Sequence, residues 1–367
     1  MKRLTLALVA GLLAAACQRS DEPYLIATAG PWDQGYGAMN RRGIDLAIEE
    51  INRAGGVNGR PLQLIAFNDS GDGSKAARIA AELVDSARVL AVVGHVNSGA
   101  MVSAARVYDG RLAAVSTTAS TPDLSGISSW AFRVISSDSV NGQDMARFSA
   151  ALGHRRAAIL YENNPYGRGL TEAFRRGWKG EIVSVDPIAD DDTNFEPYIS
   201  FLQRRAPDIV FVAGTEVSAL GVLREARRQN FRAAFLGGDG WTGIVADTAA
   251  AEGAYVAAPF SAQDPRREAQ EFVRAFRARY GGLEPDGNSA LAYDATRLVA
   301  RAIERGGGTR AGVRDWLAST DRGEPFRGVT GDIKFDSSGD VQGKGFVFTR
   351  VRKGSLLVEA QQPGGSR

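Results

Sequence analysis

Cysteine is almost absent from this chain: Cys17 is the only one in 367 residues. A lone thiol excludes a disulfide within the chain and any zinc site built on paired cysteines, so stability has to come from burial. Histidine is nearly as scarce, with His95 and His154 alone. No His, Cys or carboxylate spacing suggests a metal centre, and neither a metal nor a cofactor is expected. The glycine signatures of nucleotide handling are missing too. The first strand pattern leads into GPWDQGYG, which is not a GxGxxG turn, and no GxxxxGKS/T loop occurs. His95 and Ser98 lie close in sequence without a GxSxG elbow around the serine, so a turn or cap role for His95 outweighs a base and nucleophile pair. His154, in GHRR, reads as a solvated loop residue. Finally, no excess of one charge exists. The 44 basic residues face 42 acidic ones, and such a balance gives no electrostatic footprint for nucleic acid.

What is present begins at the N-terminus. Met1, Lys2 and Arg3 precede an apolar run, Leu4 to Ala16, that ends in AAAC at Cys17. Charged n-region, apolar h-region and small residues in that order make an export signal over 1–16, too short to span a bilayer comfortably. A cysteine directly behind small residues is where a bacterial lipoprotein signal places its lipid, so Cys17 is expected to anchor the protein to a membrane. Ala14 departs from the leucine preferred there. Ordinary cleavage, leaving Cys17 as a free thiol, is the alternative. Either way the mature protein is expected in the periplasm or at the cell surface.

From Tyr24 onward short β-branched runs alternate with helical patterns, the rhythm of parallel α/β architecture. YLIATA (24–29), LQLIAF (62–67), VLAVV (89–93) and LAAV (112–115) read as strands in the first half. AAILY (157–161), IVSV (182–185), IVFV (209–212) and AFL (234–236) repeat the pattern in the second. Between them Ile44, Ala47, Ile48 and Ile51 share one helix face, stopped by Gly55 and Gly56, and Ala76, Ile79, Ala80 and Leu83 share another. Phe272, Phe276 and Tyr280 mark a later helix, and Leu291, Ala295, Leu298 and Ala302 the next. A chain of this length exceeds one core, so two doubly wound sheets in two lobes are expected. The acidic run Asp190 to Asp192 reads as a solvated loop with a helix cap, and the tail 361–367 as disordered.

The strand ends carry the functional signal. They read VVG-HVNSG, AVS-TTASTPD, ILY-ENNPYGRG, FVA-GTEVS and FLG-GDGW. Each is also an ordinary set of turn and cap residues. Parallel sheets bind ligands beyond the carboxyl ends of their strands, where helix N-termini attract anions. Five convergent polar ends from both halves therefore point to a small-molecule cleft between lobes.

The segment GPWDQGYGAMNRRGIDLAIEEINRAGGVNGRPLQLIAFND, residues 30–69, resembles the opening of the periplasmic leucine/isoleucine/valine-binding proteins, the type I substrate-binding proteins of amino-acid ABC transporters. The resemblance continues through VVGHVNSGA, STTASTPDL, YENNPYGRGLTEAF, FLGGDGW and GDIKFDSSGD. It implies a Venus-flytrap fold with a hinge crossed three times, near residues 137, 260 and 335. Lobe one would comprise 24–137 and 261–335, and lobe two 138–260 and 336–360. It also implies that Ser98 and Ser120 hold a ligand carboxylate, that the Thr118 carbonyl and Asp239 hold its ammonium, and that Tyr36 and Tyr166 form aromatic walls. That set is chemically coherent: hydroxyl donors for an anion, a carboxylate for a cation. Three positions depart from the family. Asp239 replaces a longer glutamate, Thr215 stands near a tyrosine position and would enlarge the pocket, and Asn97 stands where some relatives have a disulfide cysteine. Trp32 and Trp241 either complete the aromatic wall or pack inside the lobes.

The resemblance implies capture of an α-amino acid by hinge closure and delivery to a membrane permease driven by separate ATPase subunits. The same fold would also serve a sensor for amides or other small organic molecules. A secreted small-molecule enzyme is the alternative of another class, without positive support in the motifs.

Overall fold

The computed structural model describes residues 22–189, 192–360 and 362. The expected signal segment, Cys17 and most of the tail lie outside the described residues. Of the acidic run, Asp192 is described. It accepts the Ala189 N–H at 3.1 Å, while Phe195 holds the N-cap position of the next helix, so this aspartate closes a loop rather than capping a helix.

The first sheet is laid down in order: β1 (Tyr24–Gly30), α1 (Gly35–Arg53), β2 (Leu62–Asn68), α2 (Gly73–Asp85), β3 (Val89–Gly94), α3 (Ser98–Tyr108), β4 (Ala113–Ser116) and β5 (Ala131–Arg133). Its strands run β2-β1-β3-β4-β5 and pair in parallel throughout. The near-continuous apolar run of β3 follows from helices covering both faces. In α1 Ile44 and Ala47 are fully buried, while Ile48 and Ile51 are half-buried against the cluster that holds Ile44. Gly56, at φ +75°, ends that helix by donating to the Ile51 carbonyl, a backbone conformation that costs glycine little. Asp72 starts α2 by accepting the Lys75 N–H at 2.7 Å.

The second sheet follows with α4 (Asp138–Ala151), β6 (Arg156–Glu162), α5 (Pro165–Gly177), β7 (Glu181–Ile188), α6 (Glu196–Arg205), β8 (Ile209–Ala213), α7 (Glu216–Arg228), β9 (Ala234–Gly237), α8 (Thr248–Ala251) and β10 (Tyr255–Ala258). The chain then returns to the first lobe through α9 (Arg267–Arg279), α10 (Gly287–Arg305), α11 (Arg310–Ala318) and the hairpin β11 (Phe326–Gly328) and β12 (Gly331–Ile333). Helix α10 packs along α1 and onto β3. The strands β13 (Val347–Arg352) and β14 (Ser355–Val358) finish the second sheet in the order β14-β13-β10-β9-β8-β6-β7. Strands β7, β6, β8, β9 and β10 are parallel, whereas β13 and β14 join as an antiparallel edge. The doubly wound reading therefore lacked this edge, as well as β5 and β10. The last two are only three and four residues long, too short to show a period.

Three segments join the lobes: 134–137, 259–266 and 334–346 lie between elements of the two sheets. The first and third are tied together. Arg133 is 1% exposed and ion-pairs with Asp340 at 2.7 Å. The Lys344 ammonium donates to the Val134 carbonyl at 3.1 Å, and Phe335 packs on Phe132 with ring centroids 5.1 Å apart.

Candidate functional site

Between the lobes lies a cavity of about 390 Å³, within the size range of small-molecule sites. Four of its walls begin where sheet strands end. The turns after β3, β6, β8 and β9 supply Ser98, Tyr166, Thr215 and Asp239. Thr118 enters from the loop after β4 and Tyr36 from the start of α1.

Ser98 is the first residue of α3, and its hydroxyl accepts the N–H groups of Ser120 and Thr121 at 3.3 Å each. The two serines expected to act together are therefore joined through the backbone. The loop that carries Ser120 is held from beneath, because the buried Arg133 guanidinium donates to the carbonyls of Ser120 and Thr121 at 2.8 and 2.7 Å. Ser120 itself is fully buried behind the wall. Thr118 lines the cavity and donates its hydroxyl to the Val96 carbonyl at 2.9 Å.

On the opposite wall Asp239 is 8% exposed. Burial pushes its carboxyl up to about 6, although the Tyr166 hydroxyl and the N–H groups of Asp239 and Gly240 favour the anion. Tyr166 donates to Asp239 Oδ1 at 2.9 Å and accepts the Gly240 N–H at 3.3 Å. Burial also pushes the Tyr166 phenol well above its ordinary value, with Asp239 and Asp138 adding to the shift. Tyr36 is raised to about 12, chiefly by burial, against a lowering hydrogen bond from Asn97.

Several residues at the site were not expected to bind ligand. Asn97 lines the cavity, donates to the Tyr36 hydroxyl at 2.9 Å, and leaves its buried Oδ1 without a partner. Glu162 ends β6 and lines the cavity, accepting the Thr215 N–H, the Thr215 hydroxyl and the Ser218 hydroxyl at 2.8, 2.7 and 2.8 Å. Asn164 and Asn288 complete the rim. Asp138, first residue of α4, is fully buried. Burial, then Asp239, push its carboxyl well above the usual range, against Ser120, Arg133 and Asn141. Glu162 and Asn164 stood in the quoted segment ENNPYG, where an ordinary turn explains them equally well.

The tryptophans pack inside the lobes. Trp241 is fully buried in the second-lobe core, against Gly237. Trp32 is half-buried and sits against Gly30, with the Arg41 guanidinium 6.0 Å from its ring centroid. Neither lines the cavity. His95 is no surface turn: it is fully buried, with Nδ1 2.6 Å from Asp69 and Nε2 3.0 Å from the Tyr108 hydroxyl. His154 is half-buried 3.6 Å from Asp208, and burial lowers its pKa.

The lobes also touch at the mouth of the cleft. Glu216 accepts the Tyr36 N–H, while Thr242 donates to Asp286 at 3.2 Å and accepts from Asn288 at 3.0 Å. Among the described residues no cluster of three or more His, Cys, Asp or Glu is placed to hold a metal, and no helix is long and apolar enough to cross a membrane.

Two sheets facing each other across a polar cleft, with the chain passing between them three times, define a two-lobed binding protein. The family model described as "Periplasmic binding protein" matches residues 23–355, and the chain belongs to that family. It is 30% identical over 345 residues, 90% of each chain, to the leucine-, isoleucine-, valine-, threonine- and alanine-binding protein of Pseudomonas aeruginosa. The crystal structure of the branched-chain amino acid transporter substrate-binding protein LivJ of Streptococcus pneumoniae with isoleucine superposes with a TM-score of 0.86 at 28% identity, covering 92% of this chain and 99% of that one. The ABC transporter substrate-binding protein of Desulfitobacterium hafniense in complex with Leu gives 0.78 at 30% identity, covering 92% and 100%. A benzoate complex from R. palustris gives 0.84 at 19% identity, a likeness of fold alone.

Proposed function

We propose that this protein captures a free α-amino acid between its lobes outside the cytoplasm and delivers it to the permease of an ABC transporter. The observation that carries this reading is the polarity of the cleft. Ser98 and the helix N-terminus behind it offer donors on one side, and the buried Asp239 offers an anion on the other. A zwitterion has the matching pair of charges. In this reading Ser98 and the α3 amides take the carboxylate with Ser120 behind them, the Thr118 carbonyl and Asp239 take the ammonium, Tyr36 and Tyr166 enclose the stem, and Thr215 leaves room beyond it. The lobes, 24–137 with 261–335 and 138–260 with 336–360, turn about the three crossings. Ligand favours closure by the difference in its affinity for the closed and open forms.

The same geometry argues for binding without turnover. The Ser98 hydroxyl is engaged with backbone N–H groups and the His95 ring with Asp69 and Tyr108, so no base faces a nucleophile. A lipid on Cys17 would keep the receptor beside its permease; mass spectrometry of the membrane fraction tests this, and an unmodified thiol rules it out. Calorimetric titration with the standard amino acids and their deaminated acids tests the main reading. At least one amino acid should bind more than about tenfold tighter than its deaminated acid. Equal affinities, or no binding by any amino acid, overturn the reading.

A further inference from the structure

Beyond the pole that would hold an α-amino group, the cavity has a second pole, and its chemistry is unusual for an aliphatic side chain. Tyr36 and Asn97 face it from one lobe, Glu162 and Thr215 from the other. Glu162 is held by the hydroxyls of Thr215 and Ser218, whereas Asp239 is held by Tyr166, so the two carboxylates have separate sets of partners. The lining includes three carboxylates, those of Asp72, Glu162 and Asp239, and no lysine, arginine or histidine. Among the described residues none of these three is paired with a basic side chain. Oε1 of Glu162 is satisfied by Thr215 and Ser218, but Oε2 receives only the Asn164 amide at 3.1 Å. The Asn97 carbonyl oxygen is a second acceptor, buried and unpartnered. Aliphatic lining is limited to Val96 and Pro165.

A leucine-like side chain closed into this space would strip water from Glu162 and from the Asn97 oxygen and return no donor, a cost that an ammonium or guanidinium removes. The methylene stem of such a ligand can lie against Tyr36 and Val96 while its charged tip reaches the acceptors. We infer that the preferred ligands are α-amino acids whose side chain ends in a cation, with Glu162 and Asn97 as the residues that select them. This rests on the α-amino acid reading above.

Lysine and norleucine form the decisive pair, since norleucine is lysine without the terminal ammonium. Calorimetric titration of the full mature chain should give lysine, ornithine or arginine at least about tenfold tighter binding than norleucine. In Glu162→Gln the ratio of lysine to norleucine affinity should fall toward one, and Asn97→Leu should lower it by a smaller factor. Norleucine or leucine binding as tightly as every basic amino acid overturns the inference and leaves the amino acid reading intact. A ratio unchanged in Glu162→Gln also overturns it, because Glu162 would then serve only to position Thr215. If Glu162→Gln does not fold, the wild-type ratio decides alone. Binding by no α-amino acid at all is the distinct result that removes the proposed function, and this inference with it.

Discussion

The two walls of the cleft place their buried charges differently. Apart from the exposed Asp72, the first-lobe wall is made of neutral groups, and its buried charge is kept underneath: Arg133 is buried behind the loop it holds and is neutralised by Asp340. The second-lobe wall puts its charges at the surface of the cavity, with Asp239 and Glu162 lining the space and, among the described residues, no basic side chain paired with either. The first wall is therefore organised in advance, while the second is electrostatically unfinished until a cation arrives. A ligand that completes both is tied to both lobes, which is the condition for stabilising closure.

Removing the hidden charge of the first wall should have the largest effect. Arg133→Ala takes the ion-pair partner from Asp340 and one donor from each of two loop carbonyls, and a loss of about 3 to 5 kcal/mol is expected, read from the denaturant midpoint. On the second wall the effects on stability and binding should separate. A carboxyl whose folded pKa is raised costs stability once the pH exceeds its unfolded value, so Asp239→Asn should stabilise the free protein near neutral pH by up to about 2 kcal/mol. The same substitution should weaken amino acid binding by about 2 to 5 kcal/mol, measured by calorimetry. A variant that both binds and folds as wild type would show that the walls do not differ in the way described.

Ser98→Ala tests the neutral wall. It removes the acceptor for two N–H groups and one donor to the ligand, an expected loss of about 1.5 to 3 kcal/mol in binding. Next comes pH. Asp239 titrates near 6 in the free protein and must be ionised to hold an ammonium, so affinity should be flat above that value and fall by about tenfold per unit below it. Tyr166, which lines the cavity beside Asp239, remains protonated across that window because burial raises its phenol further above its ordinary value. Tyr166→Phe should have the smallest effect. It withdraws a hydrogen bond that favours the anion, moving the acid limb of the same curve to higher pH, and a curve left in place would assign the control of Asp239 to its backbone donors alone.

Much of the frame was legible along the chain because burial leaves a periodic record. The apolar faces of α1 and α2 and the continuous runs of β3 and β8 needed no tertiary knowledge. Short or edge elements left no such record: β5, β10 and the antiparallel pair β13 and β14 escaped, since three or four residues cannot display a period and arginines break the later run. At the site, Tyr36, Ser98, Thr118, Tyr166 and Asp239 reach one cavity, while Ser120 stands just behind it and Trp32 and Trp241 turn into the lobes. Large aromatics beside a motif are read alike whether they face a ligand or a core, because only packing distinguishes the two.

The order of strands and helices and the polar character of the strand ends were set by local sequence, through side-chain periodicity and turn chemistry. Which of those polar residues share a cavity was decided by the tertiary structure alone. Asn97 and Tyr36 are far apart in the chain and meet only when α1 and α3 start from neighbouring strand ends. Glu162 looked like a turn residue until β6 and β8 were paired, which brought Thr215 to its carboxylate. A charge gains its meaning from the partners that surround it, and sequence distance does not specify those partners.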